Sequence, residues 1–519
     1  MRGQLYLYFS VFAAGLTTLA IELTASRLLG AVFGVSNIVW ASIIGLILIY
    51  LTAGYFFGGW LADRRPEARL LYLILAWGAF AAGLVPLIAR PVLLAAAQAF
   101  DQLEIGVLLG SFLAVLILFS LPITLLGMVS PFAIRLAIRE PAEAGRVSGR
   151  VYSVSTLGSF IGTFLPVLLF IPLIGTTFTF LLFSLFLLIV ALTGLWRTSG
   201  WSGVLPWLWM PVLLVFLALL VSGRPLKDTA GQIYESESAY NYIEVLEKDG
   251  YRTLRLNEGQ GEHSRYHPDI LAYGGPWEQF LVAPFFNQSP YAVEDVASMA
   301  IIGLAAGTTA RQATEVFGPI PIVGYEIDPE IIEVGREYFD MNQPNLEAVA
   351  EDGRTGLAGD DRKYSLIGLD AYRPPYIPWH LTTKEFFALV ADHLTEDGVL
   401  AVNVGRAPDD RRMIDGLVGT IQTVFPSVYV MDLPASFNSI IYATARPTTV
   451  DNLLDNYLAL TQRGDAHPLL LDSIRITLEN MQPTPETDTV FTDELAPIEW
   501  ITNRMVLQYI LSGGIEELQ

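Results

Sequence analysis

Three acidic residues, Glu326, Asp352 and Asp370, each end an apolar run, and a small-residue turn precedes all of them. The turn is Gly303-Leu304-Ala305-Ala306-Gly307-Thr308, directly after Met299-Ala300-Ile301-Ile302. A strand that enters such a turn and opens a helix brings backbone close to a ligand, with the helix N–H groups facing it. Ile320-Pro321-Ile322-Val323-Gly324-Tyr325 is predicted as a second buried strand, ending in Glu326-Ile327-Asp328. An acid about 20 residues beyond a glycine turn is placed to hydrogen-bond a ribose hydroxyl pair. Ala350-Glu351-Asp352-Gly353-Arg354 and Ser365-Leu366-Ile367-Gly368-Leu369-Asp370 repeat the pattern of strand and terminal acid. Open α/β sheets bind ligands along the C-terminal edge of their strands, so the set defines a candidate nucleoside site. For any single acid the plainer alternative, a helix N-cap or turn former, stays open.

These residues resemble the spermidine synthase (polyamine aminopropyltransferase) family, whose pattern is GGGDG after a strand, a strand ending in E-I-D, then GDA or GDG, then D-x-x-D. The resemblance covers roughly residues 234 to 445. The whole chain is similar to membrane-fused spermidine synthase-like proteins. That closer likeness rests on Gly54-Tyr55-Phe56-Phe57-Gly58-Gly59-Trp60-Leu61-Ala62-Asp63-Arg64, Leu126-Gly127-Met128-Val129-Ser130-Pro131-Phe132 and Thr492-Asp493-Glu494-Leu495-Ala496-Pro497-Ile498-Glu499.

The resemblance implies that an amine attacks the carbon next to a sulfonium and methylthioadenosine leaves. Gly303, Ala305, Gly307, Glu326 and Asp352 would then hold the nucleoside, with Glu326 on the ribose and Asp352 on the adenine amino group. Asp370 would be the catalytic carboxylate, as base or as the group that orients the amine. Tyr240, Trp277, Glu278, Tyr372, Arg373 and His380 would line the amine side. The chain departs from the family pattern where Ala306 replaces the Asp of GGGDG and Arg373 replaces the second Asp of D-x-x-D. A cation at position 373 would repel a diamine and could bind a carboxylate. Trp277 and Glu278 replace the family's Tyr and His/Gln, and Glu278 could restore an acid near the amine.

The elements that must position these residues follow from periodicity. Ala239 to Val245 and Tyr251 to Leu256 alternate apolar and polar residues around Asp249-Gly250, as a hairpin does. Strands are predicted near 299–303, 320–326, 346–350, 364–369, 398–404, 427–432 and 438–444. Helices are predicted near 307–317, 329–340, 383–395 and 411–424. Their alternation gives an α/β doubly wound, Rossmann-like domain at 293–446. A linker and small β subdomain at 225–292 precede it, and a mostly helical extension at 447–519 follows. The aromatic, Pro-rich run from Tyr372 to His380 is placed as a lid or as a rigid surface loop.

The first 224 residues differ in kind. They hold 12 Arg, no Lys and 7 acidic residues, leaving 19 basic and 45 acidic residues for the remainder. Apolar stretches predict an N-terminal α-helical membrane bundle of about seven spans, near 5–30, 38–61, 70–89, 105–126, 151–171, 178–195 and 205–221. Arg64, Arg65 and Arg69, with Arg135, Arg139, Arg146 and Arg150, mark two loops as cytoplasmic. Seven spans would put the remainder outside the cell, whereas an adenosyl substrate argues for the cytoplasm. Glu22 lies inside the first span, where an ionised group is costly, and Arg27 follows it.

An acidic C-terminal half argues against nucleic acid and suits a cationic ligand such as an amine or polyamine. The chain has no Cys, so thiolate chemistry and disulfides are excluded, and its five His show no metal-ligand spacing. Partners are therefore an amine or polyamine and the bilayer, with a homodimer left open. Three functions fit: an aminopropyltransferase using decarboxylated S-adenosylmethionine, a transferase using S-adenosylmethionine on another acceptor, and a non-catalytic nucleoside or polyamine sensor coupled to a transporter-like bundle.

Overall fold

A computed structural model describes residues 2–33, 37–101, 106–221, 227, 229–257, 261–371, 377–407 and 410–511. The chain divides into two units: Met1–Thr229 with Glu237–Tyr242, and Ala230–Ser236 with Ile243–Gln519.

In the first unit continuous apolar sequence forms helix, which satisfies the backbone N–H and C=O groups within each segment, as a membrane crossing would require. The helices are α1 (Arg2–Phe33), α2 (Asn37–Arg64), α3 (Ala68–Asp101), α4 (Gly106–Gly127), α5 (Val129–Ala137), α6 (Ala144–Leu165), α7 (Ile171–Val204) and α8 (Trp209–Val221). Among the described residues, five helical segments are long and apolar enough to cross a membrane. The fifth, Pro141–Trp207, spans 67 residues and contains two of the seven expected spans. The backbone leaves helical geometry at Gly175, with φ +75° and ψ 171°. On either side of that break, α6 packs against α1 and α7 against α3. The Thr176 N–H and hydroxyl, exposed by the break, donate to Glu237 at 2.9 and 2.7 Å. The seventh expected span is only 13 residues of α8, about 20 Å long against roughly 30 Å of hydrocarbon.

Two of the family-like stretches explain each other. A Cβ on Gly54 would lie 2.9 Å from Gly127 Cα, and one on Gly58 2.6 Å from Met128 Cα. Small residues let α2 approach the end of α4 this closely. Asp63 then accepts from Arg135 Nε at 3.1 Å. Arg27 donates to the carbonyls of Ser238 and Tyr240, both in this unit.

The second unit begins with β1 (Gln232–Glu237), β2 (Tyr242–Lys248), β3 (Tyr251–Leu256) and β4 (Glu262–Tyr266), a sheet in that order. The expected hairpin is its centre, β2–β3, and one strand flanks it on each side. After α9 (Pro276–Phe280) come β5 (Met299–Ile302), α10 (Thr308–Phe317), β6 (Ile322–Glu326), α11 (Pro329–Tyr338), β7 (Leu346–Ala350) and α12 (Gly353–Ala358). Then follow β8 (Tyr364–Leu369), α13 (Lys384–Asp392), β9 (Leu394–Gly405), α14 (Arg412–Gln422), β10 (Ser427–Asp432) and β11 (Asn438–Thr444). The tail adds α15 (Val450–Arg463), α16 (Pro468–Glu479), β12 (Met481–Gln482) and α17 (Ile498–Leu511).

The second sheet has eight strands in the order β12-β10-β11-β9-β8-β5-β6-β7, one more than expected because the two-residue β12 joins its edge. β7-β6-β5-β8-β9 are parallel, and β11 runs antiparallel to both β9 and β10. Side-chain alternation sends Ala300, Ile302, Ile367 and Leu369 to one face, against Leu357, Phe386, Phe387, Leu417 and Ile421. Met299, Ile301 and Leu366 go to the other, against Ala310, Ala313, Leu453, Leu470 and Ile474. Each of the Leu, Ile, Met and Phe side chains among them contributes roughly 1.5–3 kcal/mol by leaving water. Strand order reverses direction between β5 and β8, and ligands of open α/β sheets bind outside the strand ends at that point.

Candidate active site

Gly303 and Asp370 follow the two strands at the switch point and touch. Gly303 has φ +88°, and a Cβ on it would sit 2.5 Å from Ala371 N and 2.6 Å from Asp370 O. Only glycine supplies both the left-handed backbone and the clearance. The Asp370 N–H donates to Ile302 O at 2.8 Å, and the Gly303 N–H to Tyr325 O at 2.9 Å, so β5, β6 and β8 are tied together where the acids emerge.

Glu326 closes β6 and is 8% exposed. Its Oε2 accepts from the Ala305 N–H at 3.0 Å and its Oε1 from the Asp328 N–H at 3.1 Å. Burial pushes its carboxyl up to about 7, although both amides favour the charged form. Ala305 takes φ +48° and Gly307 +83°, shaping a turn whose amides point at this acid and into α10. Ala306, where the resembled family has Asp, is buried and donates its N–H to Ser264 Oγ at 2.9 Å.

Asp352 follows β7 beside Glu326, since the Glu351 N–H donates to Glu326 O at 3.0 Å. Its Oδ1 caps α12, accepting from Arg354 N and Thr355 N at 3.1 Å each. Its Oδ2 lies 2.9 Å from His380 Nε2. Burial opposes the charged form, yet the His380 ring and the Thr355 amide hold the carboxyl below its usual range. The helix-cap alternative for this acid is thus realised, and His380 sits beside Asp352.

Asp370 is half-buried. Its Oδ1 accepts from Asn403 Nδ2 at 2.8 Å. Burial pushes its carboxyl up to about 7, with the Asn403 bond pulling the other way. Two carboxyls near neutrality at one sheet edge can hold hydroxyls and exchange a proton at ordinary pH.

The structure gives several of the expected amine-side residues these surroundings. Glu278 is 3% exposed, and its oxygens accept from the N–H groups of Tyr273, Gly274 and Gly275, so it locks the turn before α9. Trp277 is also buried, edge-on to Tyr273. Tyr240 belongs to the helical unit and is exposed. Tyr372 and Arg373 lie outside the described residues.

Sequence reasoning missed Asn403 and Asn438, although Asn403 is the lone polar residue in the run Val399 to Val404. It also gave no role to the Arg354–Asp493 pair. There the guanidinium meets both carboxylate oxygens at 2.7 Å, Thr383 Oγ1 donates to Asp493 at 2.7 Å, and Arg354 donates to the His380 carbonyl at 3.0 Å.

Residues 294–451 match the spermine/spermidine synthase domain family. A probable polyamine aminopropyl transferase of Bifidobacterium longum is 29% identical over 292 residues, covering 53% of this chain and 64% of that protein. A polyamine aminopropyltransferase of Vibrio vulnificus is 28% identical over 314 residues, covering 55% of this chain and 97% of that protein. The spermidine synthase structure from Thermotoga maritima aligns at 21% identity with a TM-score of 0.40, covering 49% of this chain and 84% of that one. Over its spermine/spermidine synthase domain the chain is thus similar to polyamine aminopropyltransferases.

Proposed function

We propose that the chain is a membrane-borne polyamine aminopropyltransferase that uses a decarboxylated S-adenosylmethionine-type sulfonium. The observation that carries this reading is Asp370 at the switch point, with Oδ1 held by Asn403 and no partner on Oδ2 among the described residues. Glu326 and the Gly303–Gly307 turn hold the nucleoside, and Asp352 with His380 meets its base. The acceptor nitrogen attacks the carbon beside sulfur, the C–N bond forms, and the C–S pair returns to sulfur as neutral methylthioadenosine leaves. The proton shed by nitrogen passes to Asp370, whose pKa of about 7 suits a base working near neutral pH.

Ala306 supports a second reading, transfer from S-adenosylmethionine to another acceptor. It removes a carboxylate that would face the cationic aminopropyl end and would repel a carboxylated one. The two readings share Asp370. Detergent-solubilised full chain, given decarboxylated S-adenosylmethionine and putrescine, should release methylthioadenosine, and Asp370→Asn should slow release by roughly 10²–10⁴-fold. Unchanged release from that variant would remove Asp370 from the mechanism.

Under this reading the second unit is cytoplasmic. Crossing by α1 to α4, α6 and α7, with the Arg-rich loops inside and α8 too short to cross, returns the chain to that side. The chain lacks Cys, so single introduced cysteines at Ser202 and Asp249 can be tested with an impermeant thiol reagent. Labelling of either in intact cells would refute the assignment.

A further inference from the structure

Asp370 is the first member of a one-directional chain of hydrogen bonds crossing three strands. Asn403 Nδ2, from β9, donates to Asp370 Oδ1 at 2.8 Å. Asn438 Nδ2, from the first residue of β11, donates to Asn403 Oδ1 at 2.7 Å. Ser436 Oγ donates to Asn438 Oδ1 at 3.1 Å, and the Asn438 N–H returns a bond to Ser436 Oγ at 3.1 Å. The turn carrying Ser436 is pinned in turn: Arg406 donates to the Ser436 carbonyl at 3.1 Å and its N–H to the Phe437 carbonyl at 2.7 Å.

An amide has one donor end and one acceptor end, so each link fixes the next. Asn438 holds the oxygen of Asn403, which leaves Asn403 only its NH₂ to offer Asp370. An acceptor turned toward a carboxylate would be repelled, so the chain presents a donor to Oδ1, which accepts whether or not Oδ2 carries a proton and accepts more strongly when Asp370 is charged. Asn403 is 3% exposed and sits among Val399, Leu400, Ala401, Val402 and Val404, all buried. A polar amide in that position is costly unless both its ends are satisfied, and this chain satisfies them.

We infer that Asn403 and Asn438 are positioning residues for Asp370: they occupy Oδ1 and fix the carboxylate plane, so that Oδ2 is the oxygen that meets the acceptor amine and takes its proton. The proton's destination rests on the reading of Asp370 given above, whereas the positioning itself does not. Other charged groups at the edge have their own partners. Glu326 takes the Ala305 and Asp328 amides, Asp352 takes His380, and Asp432 takes Arg406 and Arg411. Burial and the Asn403 bond are the influences acting on Asp370. Deleting the donor therefore destabilises the charged form more than the neutral one and moves the titration upward.

The test follows the Asp370 carboxyl directly, by ¹³C NMR of the full chain labelled at aspartate Cγ, with the resonance assigned by its loss in Asp370→Asn. Asn403→Leu should raise the Asp370 midpoint by about one pH unit or more. Asn438→Ala keeps the donor but frees it to rotate, so it should raise the midpoint less. It should also lower kcat for methylthioadenosine release several-fold, with KM for the nucleoside unchanged. An unmoved midpoint in folded Asn403→Leu would overturn the inference. If that variant does not fold, a wild-type midpoint and kcat in Asn438→Ala would do so. Absence of methylthioadenosine release from the wild type would instead count against aminopropyl transfer, and the titration would still decide the positioning role.

Discussion

Replacing Gly303 by Ala separates the geometry of the site from the stability of the fold. The new Cβ would meet Ala371 N at 2.5 Å and the Asp370 carbonyl at 2.6 Å, both backbone atoms that no rotamer change can move aside. Restoring an ordinary contact of 3.4 Å shifts the start of the Asp370 loop by about 0.9 Å. A misplacement of about 1 Å at reacting groups costs on the order of 10²-fold in rate. The left-handed backbone adds about 1–2 kcal/mol of strain for a residue with a Cβ. Gly318→Ala is the control: its φ is +79°, and a Cβ there has nothing within 4 Å. With ψ −171° it occupies a region that residues with a Cβ rarely enter, so it should lose about 1–3 kcal/mol of stability and no activity. Gly307→Ala, whose Cβ meets the flexible Met341 side chain, should fall between the two. The assay pairs kcat for methylthioadenosine release with the thermal midpoint of each variant. If Gly303→Ala matched Gly318→Ala in kcat, the claim that β5 and β8 hold Asp370 in register for chemistry would be wrong.

Three further outcomes follow from the same geometry. The folded pKa of Asp370, about 7, lies above the ~3.9 of an unstructured Asp. Its contribution to stability is therefore full below about pH 4 and lost as pH rises through 7. Asp370→Asn should accordingly be more stable than wild type at pH 8, by a few kcal/mol at most, and should lose that advantage at pH 4. Denaturation at both pH values checks this, and an equal difference at the two would contradict it. Glu326→Gln should weaken methylthioadenosine binding by roughly 10- to 100-fold through loss of charge-assisted bonds, whereas titration calorimetry giving wild-type affinity would take Glu326 off the ribose. Asp493→Ala should cost about 1 kcal/mol, since the pair is partly exposed. It should also weaken nucleoside binding through the Arg354–His380 link, and a stability loss with unchanged affinity would confine Asp493 to the scaffold.

The legible parts of the sequence are those with strong periodicity. The parallel strands carry continuous apolar runs bounded by Gly and acids, so β5 to β8 lie within about two residues of their predicted limits. Helix α12, at six residues, is too short to show a 3.6-residue period. Strand β12 is two residues joined to a sheet from far along the chain, and local pattern holds no sign of it. The N-terminal unit departed from expectation at its end: the two spans expected at 151–171 and 178–195 are separated by the break at Gly175, whereas the stretch expected at 205–221 yields only the 13 residues of α8. Within the site, strand ends announced Glu326 and Asp370. What surrounds them was not announced, because Glu278 differs from a substrate-facing acid only in receiving three backbone amides, and Asn403 differs from a strand residue only in its partners.

The most direct test of the central claim is calorimetric binding of decarboxylated S-adenosylmethionine, S-adenosylmethionine and methylthioadenosine to the purified full chain, with and without putrescine. Aminopropyl transfer predicts tighter binding of the decarboxylated form than of S-adenosylmethionine, and conversion to methylthioadenosine once putrescine is added. Equal or tighter binding of the carboxylated form, with no effect of putrescine, would contradict it.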